Sequence, residues 1–439
     1  MVPSQPDVLP SRIYSTAFGI AIQTKRDGES SSTHDASDAN ASFKKTVYTI
    51  VKAGLLIPGD GEPVKDSALV IENKLIAWVG PENKVPSKYT DAAHRTFSIP
   101  FLMPGLWDVH AHFGGEPLET DQGDHNTIVL QHPALAGARL TKGCWEAIQR
   151  GYTSLRDVAG YGSGDVHLSS GVSSVQPGHW GSVQCALVDG VDECRRAVRL
   201  QIRRGAKCIK IFASGGVLSL DDNPLYAQFS PEELEVIVQE AARQQRVVAA
   251  HVHGKPGILA AIKAGVTTLE HVSFADEECI ELIKEKNIVY VSTRTIVDLL
   301  LQAGGKGLSK YQWEKAQLCG TNHLKAYKMA IKAGVSIALG TDTAPGFNMA
   351  MELDYAVQAG LTPLEAIKAA TANGPLSVGA MAPKTGQLKP GYEADILGLL
   401  HDPVENVKVL QEKQNIGWVW KGGRLFKGPG VGPWGEDPL

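Results

Sequence analysis

Four apolar runs in the middle of this chain each close on residue types that bind metal ions. Leu106-Trp107-Asp108-Val109 leads into His110 and, two residues on, His112. Val248-Ala249-Ala250 leads to His251 and then His253, Thr268-Leu269-Glu270 to His271, and Ala338-Leu339-Gly340-Thr341 to Asp342. Runs this short and apolar read as strands of a parallel sheet, buried on both faces. In a parallel barrel the carboxyl ends of all strands meet at one face, where catalytic groups gather. Such a chain is constrained to a fold that brings these ends together.

The surrounding pattern agrees. Strand-like runs at 106–112, 153–157, 208–213, 246–251, 267–271, 288–293 and 335–340 alternate with helical patterns at 231–245, 255–264, 275–286 and 314–333. The first helix opens Ser230-Pro231-Glu232-Glu233, an N-cap followed by proline at the first helical position. Seven runs are one short of a (β/α)8 barrel. From Gly160 to Asp192 no convincing strand–helix unit is readable, and Gly181 to Val188 is at best a weak strand.

Both ends of the chain have a different texture. Val47-Tyr48-Thr49-Ile50-Val51, Ala68-Leu69-Val70-Ile71 and Leu75-Ile76-Ala77-Trp78-Val79 are β-rich, and 394–400 and 417–426 match them in character. The predicted fold class is therefore α/β. A (β/α)8 TIM-like barrel over 104–384 lacks about one β/α unit near 160–190, and 46–103 with 385–435 build a small β-sandwich. Residues 27–42 are polar and Ser-rich, so 1–45 read as a disordered leader.

The chemistry follows from spacing. Residues i and i+2 of a strand share a face, so His110 and His112 point the same way, with Asp108 beside them. Two neutral imidazoles make half a zinc site. Lys210 lies in the apolar run Cys208-Ile209-Lys210-Ile211-Phe212, where an ammonium is costly to bury. Such a lysine either snorkels to the barrel mouth or loses its proton and becomes reactive. A neutral amine can add carbon dioxide and form a carbamate whose two oxygens span two metals. Lys207 is its rival but precedes the run.

Composition removes other classes. Lys and Arg number 43 against 47 Asp and Glu, for a net charge of −4. A balance so well mixed leaves no footprint for nucleic acid or an anionic membrane. No apolar run approaches the roughly 20 residues of a spanning helix. Six scattered cysteines without a C-x-x-C pair read as small buried hydrophobes in a reducing compartment. The short apolar stretch 17–22 precedes Lys25 and Arg26, the reverse of a secretory signal, so a cytoplasmic setting is expected, with secretion as the alternative.

Pro104-Gly105-Leu106-Trp107-Asp108-Val109-His110-Ala111-His112, the Lys210 strand leading to Ala213-Ser214-Gly215-Gly216, the two later histidines and Leu339-Gly340-Thr341-Asp342 together resemble the amidohydrolase superfamily, in its zinc carboxypeptidase and prolidase-like branch. The resemblance spans roughly residues 46 to 435. It implies two zinc ions bridged by carboxylated Lys210, with His110, His112 and Asp342 on the more buried ion and His251 and His271 on the outer one. It also implies a homo-oligomer. The implied substrate is a small molecule: an N-acyl amino acid, a dipeptide or an ochratoxin-like amide with a free C-terminal carboxylate.

Asp342 would take a proton from water and pass it to the leaving nitrogen, as general base and then general acid. His253 would line the pocket. Arg294, at the end of the run at 288–293, would pair with the substrate carboxylate or form a structural salt bridge. The departure from the family pattern is the shortened stretch between Ser154-Leu155-Arg156-Asp157 and Lys210, by deletion or by an error in the gene model. An impaired amidohydrolase-fold protein and a one-metal deaminase are the alternatives. Lys210 argues against the second. The remaining histidines, among them His323 on a helical pattern, are expected at the surface or in loops.

Overall fold

Tyr48 to Leu56 begins an ordered body in which local sequence and long-range pairing agree at most positions. The computed structural model describes residues 47–112, 133–158, 167–170, 185–219, 222–344 and 347–436. The expected leader, 1–45, lies outside the described residues. Residues 45–439 form one compact unit.

The strands in chain order begin with β1 (Tyr48–Leu56), β2 (Val64–Glu72), β3 (Leu75–Pro81) and β4 (His94–Pro104). The middle supplies β5 (Leu106–Ala111), β6 (Tyr152–Asp157), β7 (His167–Ser170), β8 (Cys185–Val188), β9 (Cys208–Phe212), β10 (Val247–Val252), β11 (Thr268–His271) and β12 (Val289–Val291). The end supplies β13 (Ile396–Leu399), β14 (Ile416–Lys421) and β15 (Arg424–Lys427).

The two ends do join. One seven-stranded sheet runs β15-β14-β13-β4-β1-β2-β3, with β4 parallel to β1 and antiparallel to β13. Its core holds Leu69, Leu102, Ile396 and Trp420, and Phe97 meets Trp420 edge-on at 5.3 Å. The pairing shows a single sheet; a division into two stacked layers is not visible in it. The sequence hides β4 behind Pro100 and Pro104, which argue against a central strand. The fold tolerates Pro100 because the β1–β4 register passes over Gly54, where a Cβ would stand 2.9 Å from the Pro100 carbonyl oxygen.

In the middle region the strands are parallel, in the order β12-β11-β10-β9-β7-β8, with β5 and β6 as a separate pair. Residues 335–343 link the two groups through bridges Tyr290↔Ile337 and Ala111↔Thr343. Val109 N–H donates to Leu339 O at 3.0 Å and Asp342 N–H to His110 O at 2.7 Å. The expected strand at 335–340 is thus bridging backbone rather than a regular strand. Among the described residues no pairing joins β6 to β8, and 159–166 and 171–184 between them lie outside the described residues. The stretch near 160–190 carries β7, which the sequence did not show, and β8 where a weak strand was expected.

Helices sit where caps fix them. Ser230 and Glu233 form a capping box at the start of Pro231–Ala242, and Ser309 and Gln312 another for Lys310–Ala333. The helices Lys255–Ala264 and Glu277–Glu285 fall where the pattern put them. Cys194, Cys208, Cys279 and Cys319 are buried thiols as expected, whereas Cys144 is exposed. No helix among the described residues is long and apolar enough to cross a membrane.

Candidate active site

The carboxyl ends of β5, β9, β10 and β11, with residues 340–342, deliver their polar side chains to one place. His112 Nε2 lies 2.6 Å from Asp342 Oδ1, and His110 Nε2 lies 3.4 Å from the same oxygen. Lys210 Nζ is 3.4 Å from His110 Nε2. The His271 ring stands 5.1 Å from His110 and 4.5 Å from His251, and His253 stacks on His271 at 5.2 Å. All six expected ligands and His253 therefore converge. Ligand atoms of His110, His112 and Asp342 lie within 4.8 Å of one another, a group able to hold a metal ion. Side-chain exposure rises from 1% at His110 through 10% at His112 to 22% at Asp342, so the acid is the member that faces the opening.

Backbone geometry makes the approach possible. A Cβ on Gly340 would sit 2.6 Å from His110 Cβ, so only glycine lets residues 335–343 lie against β5 here. His271, Val272, Thr293 and Asp342 have φ of 71°, 57°, 54° and 58°, which non-glycine residues rarely adopt. Such strain collects at functional sites. At His271 it has a direct use. Neighbours in a regular strand face opposite sides, yet Glu270 and His271 both reach His110.

Glu270 is the centre of a buried ionic strut that the sequence reading passed over. Its Oε2 accepts from His110 Nδ1 at 2.7 Å and its Oε1 from Arg156 Nη2 at 2.7 Å. Arg156 also donates to Val109 O, Thr268 Oγ1 and Ser377 O, tying β6 to β5 and β11. Burial alone would raise the Glu270 carboxyl, but Arg156 and His110 hold it well below the usual carboxylate range. An ionised Glu270 only accepts, so His110 carries its proton on Nδ1 and turns an unprotonated Nε2 to the centre. His251 Nε2 faces the Gly215 carbonyl at 3.3 Å, which likewise only accepts and leaves Nδ1 of that ring unprotonated.

Burial sets the protonation of the cluster. It lowers His110 to about 4 and His253 to about 3, and it holds His251 and His271 well below an ordinary imidazole. The rings are therefore neutral, as ligands must be. Lys210 is also lowered, by burial first, which favours the free amine. Burial raises Asp108 to about 7 against hydrogen bonds from Thr341 and His110. For Asp342 burial is outweighed by His110 and His112, and its carboxyl lies below the ordinary value.

One of the two alternatives for Arg294 is seen as a contact, and one expectation, for His323, needs correction. The Arg294 fork is already engaged by Asp298, by Gly320 O at 3.3 Å and by His323 Nδ1 at 3.4 Å. The structural salt bridge is the arrangement present, because Asp298 lies one helical turn along the same face. His323 is fully buried rather than at the surface, with Nε2 2.6 Å from Ser292 O. His125, His132 and His179 lie outside the described residues, and His167 begins β7. Thr293 and Ser273, which meet His271 Nδ1 and His253 Nδ1 at 2.7 and 2.8 Å, were not anticipated. A hydroxyl near a run end carries little signal in sequence.

Comparison with known proteins is consistent with this geometry. The family model described as "Amidohydrolase family" matches residues 101–426. Ochratoxinase of Aspergillus niger is 56% identical over 435 aligned residues, covering 90% of this chain and 90% of that protein. Those 435 positions exceed the share of this 439-residue chain they cover, so the alignment passes over residues that this chain lacks. The crystal structure of A. niger ochratoxinase matches with a TM-score of 0.83 and 55% identity, over 90% of this chain and 99% of that one. A Xaa-Pro dipeptidase with bound methionine matches with a TM-score of 0.77 and 25% identity, over 87% of this chain and 100% of that one.

Proposed function

The chain belongs to the amidohydrolase family and is a hydrolase, and on that premise we propose that it cleaves an amide bond with two zinc ions. The observation that carries the proposal is the convergence of His110, His112, Lys210, His251, His271 and Asp342 at one set of strand ends. The donors fit such a pair of ions. The imidazoles of His110, His251 and His271 are buried and neutral, and the hydrogen bonds of His110 and His251 leave one nitrogen of each of those two rings free for a metal. His110, His112 and Asp342 would hold the inner ion and His251 and His271 the outer one.

In such a centre the ions supply Lewis acidity and lower the pKa of a water to near 7. Lys210 would join them as a carbamate. Its neutral amine adds to the carbon of carbon dioxide, an N–C bond forms, and one proton leaves to solvent. Asp342, ionised and open to the mouth, accepts the proton of the attacking water and returns it to the amide nitrogen as the C–N bond breaks. Arg156 and Glu270 hold His110 in its tautomer throughout. Glu270 is the acid a one-metal deaminase reading would recruit, but Arg156 and His110 already occupy it.

The substrate class we propose is an N-acyl amino acid, a dipeptide or an ochratoxin-like amide with a free C-terminal carboxylate, with His253 lining its pocket. It is supported by what the relatives' names say of them. The parallel strands are read as a (β/α)8 barrel over 104–384, the terminal strands as a β-sandwich, and the assembly as a homo-oligomer without nucleic-acid or membrane partners.

Release of the amine from an N-acyl amino acid and from an ochratoxin-like amide tests this, in protein stripped with a chelator and then restored with zinc. Zinc-dependent turnover that Asp342→Asn abolishes is expected. Turnover of neither amide by soluble, zinc-loaded protein would leave the second reading, an impaired member. That reading is supported by the lack, among the described residues, of a pairing between β6 and β8, since a barrel depends on closure to hold its ends in register.

A further inference from the structure

The bend after β12 carries more restraint than a connection needs. Thr293 is β-branched and yet left-handed, with φ 54°. Glu352, buried in the helix Met351–Ala359, grips the residues around it. Its Oε1 accepts from Ser292 Oγ at 2.6 Å and Arg294 N–H at 2.9 Å. Its Oε2 accepts from Thr295 N–H at 2.7 Å and Thr295 Oγ1 at 2.6 Å. Four donors converge on one buried carboxyl, which burial still holds above the ordinary value despite them. They tie the chain on both sides of Thr293 to the helix Met351–Ala359.

The consequence reaches the site through one proton. Thr293 Oγ1 donates to Ser292 O at 2.6 Å, a carbonyl that also faces His323 Nε2 at 2.6 Å. With its only hydrogen committed there, Thr293 Oγ1 has just lone pairs to offer His271 Nδ1, 2.7 Å away. His271 must therefore be the donor, which puts its proton on Nδ1 and leaves Nε2 unprotonated.

We propose that Thr293 and Glu352 are positioning residues for His271: together they fix its tautomer and ring plane, so that Nε2 can take the outer ion. The inference rests on the reading above that His271 is a ligand. The inner ligand His110 has Glu270 for the same task; the outer ligand has a neutral hydroxyl held by a distant carboxylate.

Full-length protein, freed of metal, is titrated with zinc against a chromophoric chelator. His271→Ala should lose one of two ions. Thr293→Val, the same shape without an acceptor, should weaken one ion by about 10–100-fold and spare the other. Thr293→Ser should bind as the parent does, and Glu352→Gln should repeat the selective loss. Parental affinity for both ions in folded Thr293→Val or Glu352→Gln, with one ion lost in His271→Ala, overturns the positioning role alone. Both ions retained by His271→Ala contradicts the ligand reading itself. Should the variants not fold, nitrogen NMR of labelled histidine in the metal-free parent decides: a proton on His271 Nδ1 is expected, and one on Nε2 overturns the proposal.

Discussion

The two halves of the histidine cluster are built from different materials. Around His110 the supports are charged: Arg156 and Glu270 form an ion pair with almost no exposure, and Arg156 spends its remaining donors on backbone and hydroxyl groups of neighbouring strands. Around His271 and His253 the supports are the hydroxyls of Thr293 and Ser273; Thr293 Oγ1 also meets Ser292 O, and Glu352 holds the residues on either side of Thr293. A buried ion pair costs desolvation and is strongly destabilising when one partner is removed. A neutral hydroxyl carries no charge to desolvate, and losing it strands only the group it met. The inner half thus rests on a buried ion pair, and the outer half on neutral hydroxyls beside a bend that Glu352 holds. Positive φ occurs in both, at Asp342 in the inner half and at His271, Val272 and Thr293 in the outer.

That contrast breaks most visibly if the charged strut is cut. Arg156→Met keeps the bulk and strands the Glu270 charge, so unfolding by urea should show a loss of about 3–5 kcal/mol. A loss under about 1 kcal/mol would mean the strut is not the rigid element.

Acid should come next. Burial lowers His323 to about 4 from the ordinary 6.5, so the unfolded chain takes up its proton first as pH falls. Stability from this group is complete above pH 6.5 and drains as pH falls toward 4, by roughly 3 kcal/mol at most. Urea midpoints of metal-free protein should be flat above pH 7 and decline below 6.5, with a shallower decline in His323→Asn. An unchanged slope in that variant would assign the acid sensitivity elsewhere.

The smallest effect belongs to the neutral half. Ser273→Ala removes the partner of His253 Nδ1 and should cost about 1–2 kcal/mol. A cost matching that of Arg156→Met would erase the distinction between the halves.

Much of this was readable before any coordinates. The six expected ligands are polar residues of metal-binding type, five at the ends of apolar runs and Lys210 within one, and both residue type and position survive in a linear sequence. Their supports are harder. Glu270 looks like an adjacent residue pointing the other way, because alternation assumes regular backbone and His271 is not regular. His323 shows no sign of its partner, since Ser292 O is 31 positions away. Arg294 was readable in retrospect: Asp298 four residues on, in a helix, is a natural partner. The terminal sheet showed through its β-rich runs, while β4 hid behind prolines whose cost is local and whose compensation, Gly54, is distant in sequence. The shortfall read near 160–190 falls mostly on residues outside the described ones, where only β7 and β8 can be compared with it.

The central claim is that Lys210 makes one metal site into two. Zinc per chain, measured by atomic emission after reconstitution with zinc and bicarbonate, tests it most directly in the parent and in Lys210→Ala. The account predicts two ions in the parent and a marked fall in the variant. One ion per chain in both proteins would contradict it.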